Sequence, residues 1–218
     1  IHRRDGWIMR LPPLYAIVDA QTAVAHGWTI VDLAAAYLAG GARWIQFRGG
    51  DTSTGALLRG CDQIVERAAR YGATVIVNDR ADVARLAGAD GVHVGQQDLP
   101  VATIRRQLGP DGFIGLSTHT AAEIAAAQSQ EPDYVAVGPV YGTATKATGY
   151  AATGLTAVRG AVLRGRPGVA IGGITLERAS AVLDAGASAV AVISDLVCHG
   201  DPERRVRAYV DALRPRDE

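Results

Sequence analysis

The strongest constraint on the fold is a strict alternation of short apolar runs and alanine-rich helical segments. The apolar runs are rich in Val and Ile and are too short for helices, which is typical of parallel strands buried on both faces. We predict strands at 14–19, 44–48, 74–78, 91–94, 113–117, 134–137, 169–172 and 189–193. The predicted helices lie at 30–41, 54–72, 82–88, 99–109, 121–129, 154–165, 176–186 and 201–213.

Eight repeats of this unit favour one closed fold. Strict alternation of strands and helices requires a parallel sheet with right-handed crossovers. Eight units close into a barrel, whereas an open doubly wound sheet more often stops at five or six strands, and no GxGxxG sequence follows the first strand. The 218 residues show no linker and no shift in composition. We therefore predict a flexible N-terminal arm over residues 1–12 and a single (β/α)8 TIM barrel, the catalytic domain, over residues 13–215.

Charge and cysteine usage exclude several classes of protein. The 22 basic and 22 acidic residues cancel, so no surface for nucleic acid is expected. No apolar run is long enough to cross a bilayer, and the start, IHRRDGWIMRLPP, lacks the apolar part of a signal peptide. Cys61 and Cys198 lack CxxC spacing and are expected to be reduced core cysteines. We expect a cytoplasmic protein without nucleic-acid or membrane partners, and we leave open whether it is a homo-oligomer.

Polar side chains follow the predicted strands at their carboxyl ends, where the active site of this fold lies. In chain order the candidates after strands two to five are Gln46, Arg48, Asn78, Asp79, Asp98, Ser117 and His119. Cations and hydrogen-bond donors of this kind indicate an anionic substrate. His119 has two interpretations, a proton shuttle or a hydrogen-bonded structural residue. His93 lies inside the fourth strand and is expected to be buried.

The last three strands offer two candidate phosphate sites. The loop after the sixth strand contains the only lysine of the chain, Lys146, together with Thr143 and Thr145. Lysine is a compact point charge that suits a phosphate oxygen, although an ordinary solvated lysine is the alternative. Backbone N–H groups at Gly172–Gly173 and Ile193–Ser194 form the second candidate, in a place where this fold often binds phosphate. The alternative there is that the turn needs glycine for its geometry alone.

Asp79 and Asp98 follow adjacent predicted strands and form a candidate Mg²⁺ site. Mg²⁺ is typically held by one or two carboxylates together with substrate phosphates and water. The alternative is that both carboxylates form salt bridges with arginines such as Arg80. The surrounding cations and donors indicate an anionic substrate, and they therefore favour the metal site.

Seven stretches of the chain match one enzyme family in order. They are IQFR at 45–48, VNDR at 77–80, GVHVGQQD at 91–98, GLSTHT at 115–120, GPVYGTATK at 138–146, AIGGI at 170–174 and AVAVIS at 189–194. On these motifs the chain resembles the thiamine-phosphate synthase family. The resemblance implies that hydroxymethylpyrimidine diphosphate is joined to hydroxyethylthiazole phosphate, giving thiamine phosphate and pyrophosphate. It also implies a dissociative reaction, in which pyrophosphate leaves a pyrimidinylmethyl cation that the thiazole nitrogen captures.

The resemblance assigns one group of candidates to the diphosphate. It implies that Arg48, Asn78 and Lys146 hold the pyrophosphate. It implies that Asp79 and Asp98 bind Mg²⁺ as the cofactor.

A second group is assigned to the organic parts of the substrates. The resemblance implies that Ser117 lies beside the reacting pyrimidine and the leaving group, and that Gln46 positions the pyrimidine. Ser117 is thereby an implied catalytic residue, together with Arg48 and Lys146. The implied site for the thiazole phosphate consists of Thr143, Thr145, Gly173, Ile193 and Ser194.

One position departs from the family pattern. The family continues the second-strand motif as Gln, a hydrophobic residue, Arg, any residue and Lys, whereas Gly50 stands at the lysine position here. A missing charge-assisted contact of this kind costs about 1.5–3 kcal/mol, and Arg80 is a candidate for replacing it. A thiazole tautomerase-like enzyme and a non-catalytic phosphate-binding barrel therefore remain alternatives to the synthase.

Overall fold

The computed structural model describes residues 11–143, 149–162 and 166–214. Eight parallel strands form one closed barrel in chain order, because β8 pairs with β1 as well as with β7. The strands are β1 Leu14–Asp19, β2 Trp44–Arg48, β3 Thr74–Asn78, β4 Gly91–Val94, β5 Phe113–Thr118, β6 Tyr134–Val137, β7 Gly168–Ile171 and β8 Ala189–Val192. The predicted single (β/α)8 barrel is confirmed.

Nine α-helices in the described ranges surround the barrel. They are α1 Ala20–Ala25, α2 Ile30–Ala39, α3 Thr54–Ala69, α4 Ala81–Leu86, α5 Val101–Leu108, α6 Ala121–Gln130, α7 Gly154–Val162, α8 Leu176–Asp184 and α9 Pro202–Ala212. A short 3-10 helix, Ser194–Leu196, follows β8. Neither α1 nor this 3-10 helix could be predicted from the sequence, because segments of 6 and 3 residues are too short to show a helical period.

Side-chain caps explain where several helices begin. The carboxylate of Asp19, the last residue of β1, accepts from the N–H of Thr22 at 2.8 Å and so begins α1. Asp201 caps α9, accepting from the N–H of Arg204 at 3.0 Å. Thr175 lies at the N-cap position of α8, but its side chain makes no capping hydrogen bond there.

Alternation along the strands separates the barrel interior from an outer core. Outward side chains such as Phe47 on β2 pack in the layer beneath the helices. Inward side chains form a second cluster, in which the ring of Trp44 lies 5.5–5.7 Å from the rings of Tyr15, Phe113 and Tyr134. These rings fill the amino-terminal half of the barrel, and the inward polar side chains therefore lie nearer the carboxyl ends of the strands.

Two regions differ in detail from the sequence analysis. Cys198 is exposed and does not belong to the core, because it follows the 3-10 helix at the surface, whereas Cys61 is buried as expected. Both are free thiols. Strand β7 ends at Ile171 because Gly172 has a φ of +102°, which no extended strand adopts.

The start of the described chain packs against the barrel. Leu11, within the predicted arm over residues 1–12, is buried in the interior cluster. The flexible arm itself stays a prediction, since residues 1–10 lie outside the described ranges. Among the described helices, none combines the length and apolar character needed to cross a membrane.

Candidate active site

A cavity of about 710 Å³ opens at the carboxyl ends of β1 and β5–β8. Its wall contains five of the predicted site residues, namely Ser117, Thr143, Gly173, Ile193 and Ser194. Another five predicted residues lie on the β2–β4 side of the barrel, outside this wall, namely Gln46, Arg48, Asn78, Asp79 and Asp98. Thr145 and Lys146 lie outside the described residues. The predicted site is therefore divided between two sides of one rim.

The turn after β7 is shaped by the loop that follows β6. Gly173 has a φ of +62°, and a Cβ atom there would lie 2.8 Å from Cβ of Tyr141 and would collide with the carbonyl oxygen of Gly142. The two segments are joined by a hydrogen bond from the Tyr141 N–H to the Gly172 carbonyl at 3.0 Å. This close approach requires glycine whether or not phosphate binds. A phosphate contact at Gly173 therefore stays a prediction.

The far wall of the cavity is built on Asp195, in the 3-10 helix that begins at Ser194. Asp195 Oδ2 accepts from Arg205 at 2.8 Å and from the hydroxyl of Tyr209 at 2.6 Å. Burial by itself would raise the pKa of the Asp195 carboxyl, but the bonds from Tyr209, Arg205 and His199 outweigh it and lower that pKa below its usual value. The carboxylate therefore stays charged and ties α9 to the end of β8.

Arg178 is a cation of this cavity that the sequence analysis missed. Its guanidinium donates to the carbonyl oxygen of Gly173 at 2.9 Å and lies 4.6 Å from the centroid of the Tyr141 ring. It is positioned by the first turn of α8, just after the Gly-Gly turn. The sequence signal that could have found Arg178 is its position just after the Gly-Gly turn. A search limited to the last residues of the strands does not reach it.

Arg48 is held by a carboxylate that the sequence analysis also missed. Asp19, at the end of the neighbouring strand β1, is 2% exposed and lies 2.5 Å from NH1 of Arg48. The other oxygen of Asp19 accepts from both the N–H and the hydroxyl of Thr22. A guanidinium has five N–H donors, and the bond to Asp19 uses one of them. Asp19 therefore fixes the direction of Arg48 at the rim.

The two candidate metal ligands are both exposed at the ends of adjacent strands. Asp79 has a φ of +62°, and its N–H donates to the carbonyl oxygen of His93 at 2.8 Å. Asp98 Oδ2 accepts from the N–H of Gly95 at 2.7 Å. A non-glycine residue in the left-handed region costs conformational energy, and such residues cluster at functional sites. The two carboxylates offer the oxygen donors that Mg²⁺ takes, and the Mg²⁺ site itself stays a prediction.

Arg80, the candidate for replacing the cation missing at Gly50, already has side-chain partners. Its guanidinium makes a two-point ion pair with Asp82, at 2.8 and 2.6 Å, and donates to Thr54 at 3.2 Å. The hydrogen bonds that Arg80 donates to Asp82 raise the pKa of Arg80. The suggestion that Arg80 takes the lysine's place stays a prediction, and the structure shows that such a role would require Arg80 to share its donors with Asp82.

Gln46 and Ser117 both point into the barrel interior. The Gln46 side chain is 4% exposed and donates to the hydroxyl of Tyr15 at 2.9 Å. The hydroxyl of Ser117 lies 2.8 Å from Nε2 of His93, which is buried as expected. Gln46 thus lies below the rim rather than in the cavity wall.

His119 lines the cavity and has protein partners on two sides. Its Nδ1 lies 3.1 Å from a carboxylate oxygen of Glu123, which also accepts from the His119 N–H at 2.7 Å. The imidazole stacks on the ring of Tyr150, with centroids 4.2 Å apart. These contacts agree with the structural interpretation of His119.

Comparison with known proteins gives the chain a family. A model of the family described as thiamine monophosphate synthase matches residues 14–196. The chain is 45% identical over 213 residues to a thiamine-phosphate synthase of Mycobacterium bovis, covering 92% of each.

One further match is a longer, bifunctional protein, and another is a solved structure. The chain is 43% identical over 204 residues to the thiamine biosynthesis bifunctional protein ThiM/ThiE of Symbiobacterium thermophilum, of which it spans 42%. A thiamine phosphate pyrophosphorylase from Pyrococcus furiosus shares the fold with a TM-score of 0.83 and 29% identity, over 93% of this chain and 97% of that one. The match over most of its length shows that this chain belongs to the thiamine monophosphate synthase family.

Proposed function

We propose that this chain is a transferase that joins hydroxymethylpyrimidine diphosphate to hydroxyethylthiazole phosphate, giving thiamine phosphate and pyrophosphate. The observation that carries the proposal is the meeting of Ser117, Thr143, Gly173 and Ser194 in one cavity of about 710 Å³. These residues lie in or just after four different strands, and the volume is in the range that holds small organic ligands. Membership of the family supports the same reaction.

The thiazole phosphate is proposed to bind at the β6–β8 side of the cavity. Thr143, Gly173 and Ser194 lie together in that wall, and Arg178 adds a positive charge beside Gly173. The same place binds phosphate in many barrels of this fold. Thr145, from the loop after β6, is proposed to complete this site, whereas Lys146 from the same loop is proposed to contact the pyrophosphate.

The diphosphate is proposed to bind over the β2–β4 side of the mouth. Arg48 would contact the pyrophosphate, with its guanidinium aimed by Asp19. Asn78, the last residue of β3, would donate to the same group. Asp79 and Asp98 would hold Mg²⁺, which would supply positive charge to the leaving pyrophosphate.

The residues of the chain would act mainly by electrostatic positioning. Departure of pyrophosphate concentrates negative charge on the leaving oxygens, so donors and cations aimed at them stabilise the transition state more than the ground state. Arg48, on β2, and Ser117, on β5, would approach the reacting centre from different strands of the barrel. A dissociative reaction needs no nucleophile from the protein.

A coupled assay for thiamine phosphate and pyrophosphate, with Mg²⁺ omitted and restored, tests the proposal. We expect turnover that requires both substrates and Mg²⁺. Asp98→Asn should lower turnover at least about tenfold, whereas the control Asp111→Asn, an exposed carboxylate at the opposite end of the barrel, should not. Binding of both substrates without product would favour the non-catalytic barrel. Isomerisation of a thiazole without release of pyrophosphate would favour the tautomerase.

The proposal also covers the surroundings of the protein. Small molecules are its proposed substrates, and the balance of 22 basic and 22 acidic residues supports the absence of a nucleic-acid partner. A cytoplasmic location without membrane partners is part of the same proposal, because phosphorylated substrates would be retained in the cytoplasm.

A further inference from the structure

A row of four hydrogen bonds crosses the barrel interior from β2 to β5. Gln46 Nε2 lies 2.9 Å from the hydroxyl of Tyr15, and that hydroxyl lies 2.9 Å from the hydroxyl of Tyr134. The Tyr134 hydroxyl lies 3.0 Å from Nδ1 of His93, and Nε2 of His93 lies 2.8 Å from the hydroxyl of Ser117. The row ends at the cavity, because Ser117 is in its wall.

Each bond in this row determines the direction of the next. The side-chain nitrogen of Gln46 is a donor only, so the Tyr15 oxygen accepts and its own hydrogen points to Tyr134. Tyr134 then donates to Nδ1 of His93. A neutral imidazole that accepts at Nδ1 carries its proton on Nε2, and it therefore donates to the oxygen of Ser117.

We propose that this row of hydrogen bonds holds His93 in the Nε2–H tautomer and thereby turns the hydroxyl hydrogen of Ser117 toward the cavity. Gln46, Tyr15, Tyr134 and His93 are then positioning residues for Ser117. A hydroxyl hydrogen turned toward the cavity can be donated to an anionic oxygen of the leaving diphosphate. In this respect the inference rests on the proposed function. In the reverse direction Ser117 would donate to His93 and would present its lone pairs to the anion.

The surroundings protect the row from water. Tyr15 and Tyr134 are 2% and 0% exposed, and Gln46 and His93 are 4% and 7% exposed. Burial raises the pKa of Tyr15 to about 12 and raises that of Tyr134 well above its usual value, so both phenols keep the protons that they donate. Hydrogen bonds in such a dry site polarise one another in the same direction.

Gly115 on β5 leaves the space that the row needs. A Cβ atom at this position would collide with the phenol of Tyr134 and with Nδ1 of His93. The chain therefore has the smallest residue where the two rings meet, and these rings stack with centroids 5.5 Å apart. The packing of β4, β5 and β6 holds the row in one geometry.

The tautomer of His93 tests the direction without any turnover. Nitrogen-15 NMR of the full chain distinguishes a protonated ring nitrogen from an unprotonated one, and His93→Gln identifies the signals. We expect the proton on Nε2 in the protein without substrates. A proton on Nδ1 would show that the Gln46 amide and the whole row run in reverse, and it would overturn the inference even if the proposed function holds.

Tyr134→Phe tests the consequence for catalysis. It removes the donor to His93, and we expect kcat to fall about tenfold with KM changed by less than about twofold. The matched control is Tyr37→Phe, which removes a buried phenol on α2 and should leave kcat unchanged. Thermal unfolding of both variants shows that they are folded.

A double variant separates positioning from a general loss of structure. In a Ser117→Ala background, Tyr134→Phe should change kcat by about twofold or less, because the two residues act through one hydroxyl. An equal loss of kcat in both backgrounds would overturn the positioning role. Absence of turnover in the unaltered chain would refute the proposed function instead, while the tautomer measurement would still decide the direction.

Discussion

Removal of the Asp195 carboxylate should destabilise the protein and loosen the wall of the cavity. Asp195→Ala leaves the hydroxyl of Tyr209, on a side chain that is 0% exposed, without its acceptor at 2.6 Å, and the carbonyl oxygen of Ile174 at 3.5 Å remains as a weak acceptor. A buried donor left without its partner costs about 1–3 kcal/mol. Arg205 loses two charge-assisted bonds, worth about 1.5–3 kcal/mol, although Glu177 at 3.6 Å recovers a part. We expect a total loss of about 3–5 kcal/mol.

Asp195→Asn separates charge from hydrogen bonding. The amide oxygen still accepts from Tyr209, so we expect a smaller loss of about 1–2 kcal/mol. Urea unfolding measures the loss for both Asp195 variants, since a shift in the midpoint at constant slope reports a change in the free energy of unfolding. The control is Asp211→Asn. The side chain of Asp211 is 59% exposed and that of its partner Arg214 is 73% exposed, so this substitution should leave the midpoint unchanged. Equal midpoints for all three variants would refute the reasoning.

The stability that the Asp195 carboxylate contributes should decrease as the pH falls into the acid range. The pKa of Asp195 is lowered in the folded protein, so its contribution to stability is fully present above the unfolded value and is lost as pH falls through the folded value. The difference between the unaltered chain and Asp195→Asn should therefore be constant near neutral pH and should shrink below about pH 4. A difference that grows in acid would contradict this assignment.

Two further substitutions test glycines at the site. Gly115→Ala forces a methyl group against Tyr134 and His93, so it should cost about 1–3 kcal/mol or more and lower turnover; an unchanged melting temperature would contradict the close packing described. Gly50→Lys restores the cation of the family pattern, so turnover at low diphosphate concentration should rise. Position 50 is exposed and has a φ of +58°, so the free energy of unfolding should fall by about 1 kcal/mol. Unchanged turnover would mean that another group already supplies that charge.

The carboxyl-end candidates show how far local patterns reach. Strand ends such as Arg48 and Ser117 could be found from the sequence, because parallel strands of a barrel deliver their last residues to one rim. Asp19 and Arg178 were missed, since neither belongs to the motifs that carried the resemblance. Their importance depends on contacts with Arg48, 29 positions away, and with the turn at Gly173.

The barrel could be predicted from the sequence alone, since strand and helix periods are local and eight alternating units can bury their apolar faces in few other ways. The way polar residues meet inside it depends on contacts between strands that are distant in the chain. Tyr15 and Tyr134 are 119 positions apart, and no periodicity indicates that their hydroxyls share a hydrogen bond. Closure of β8 onto β1 brings such residues together, and the direction of each hydrogen bond then follows from its neighbours.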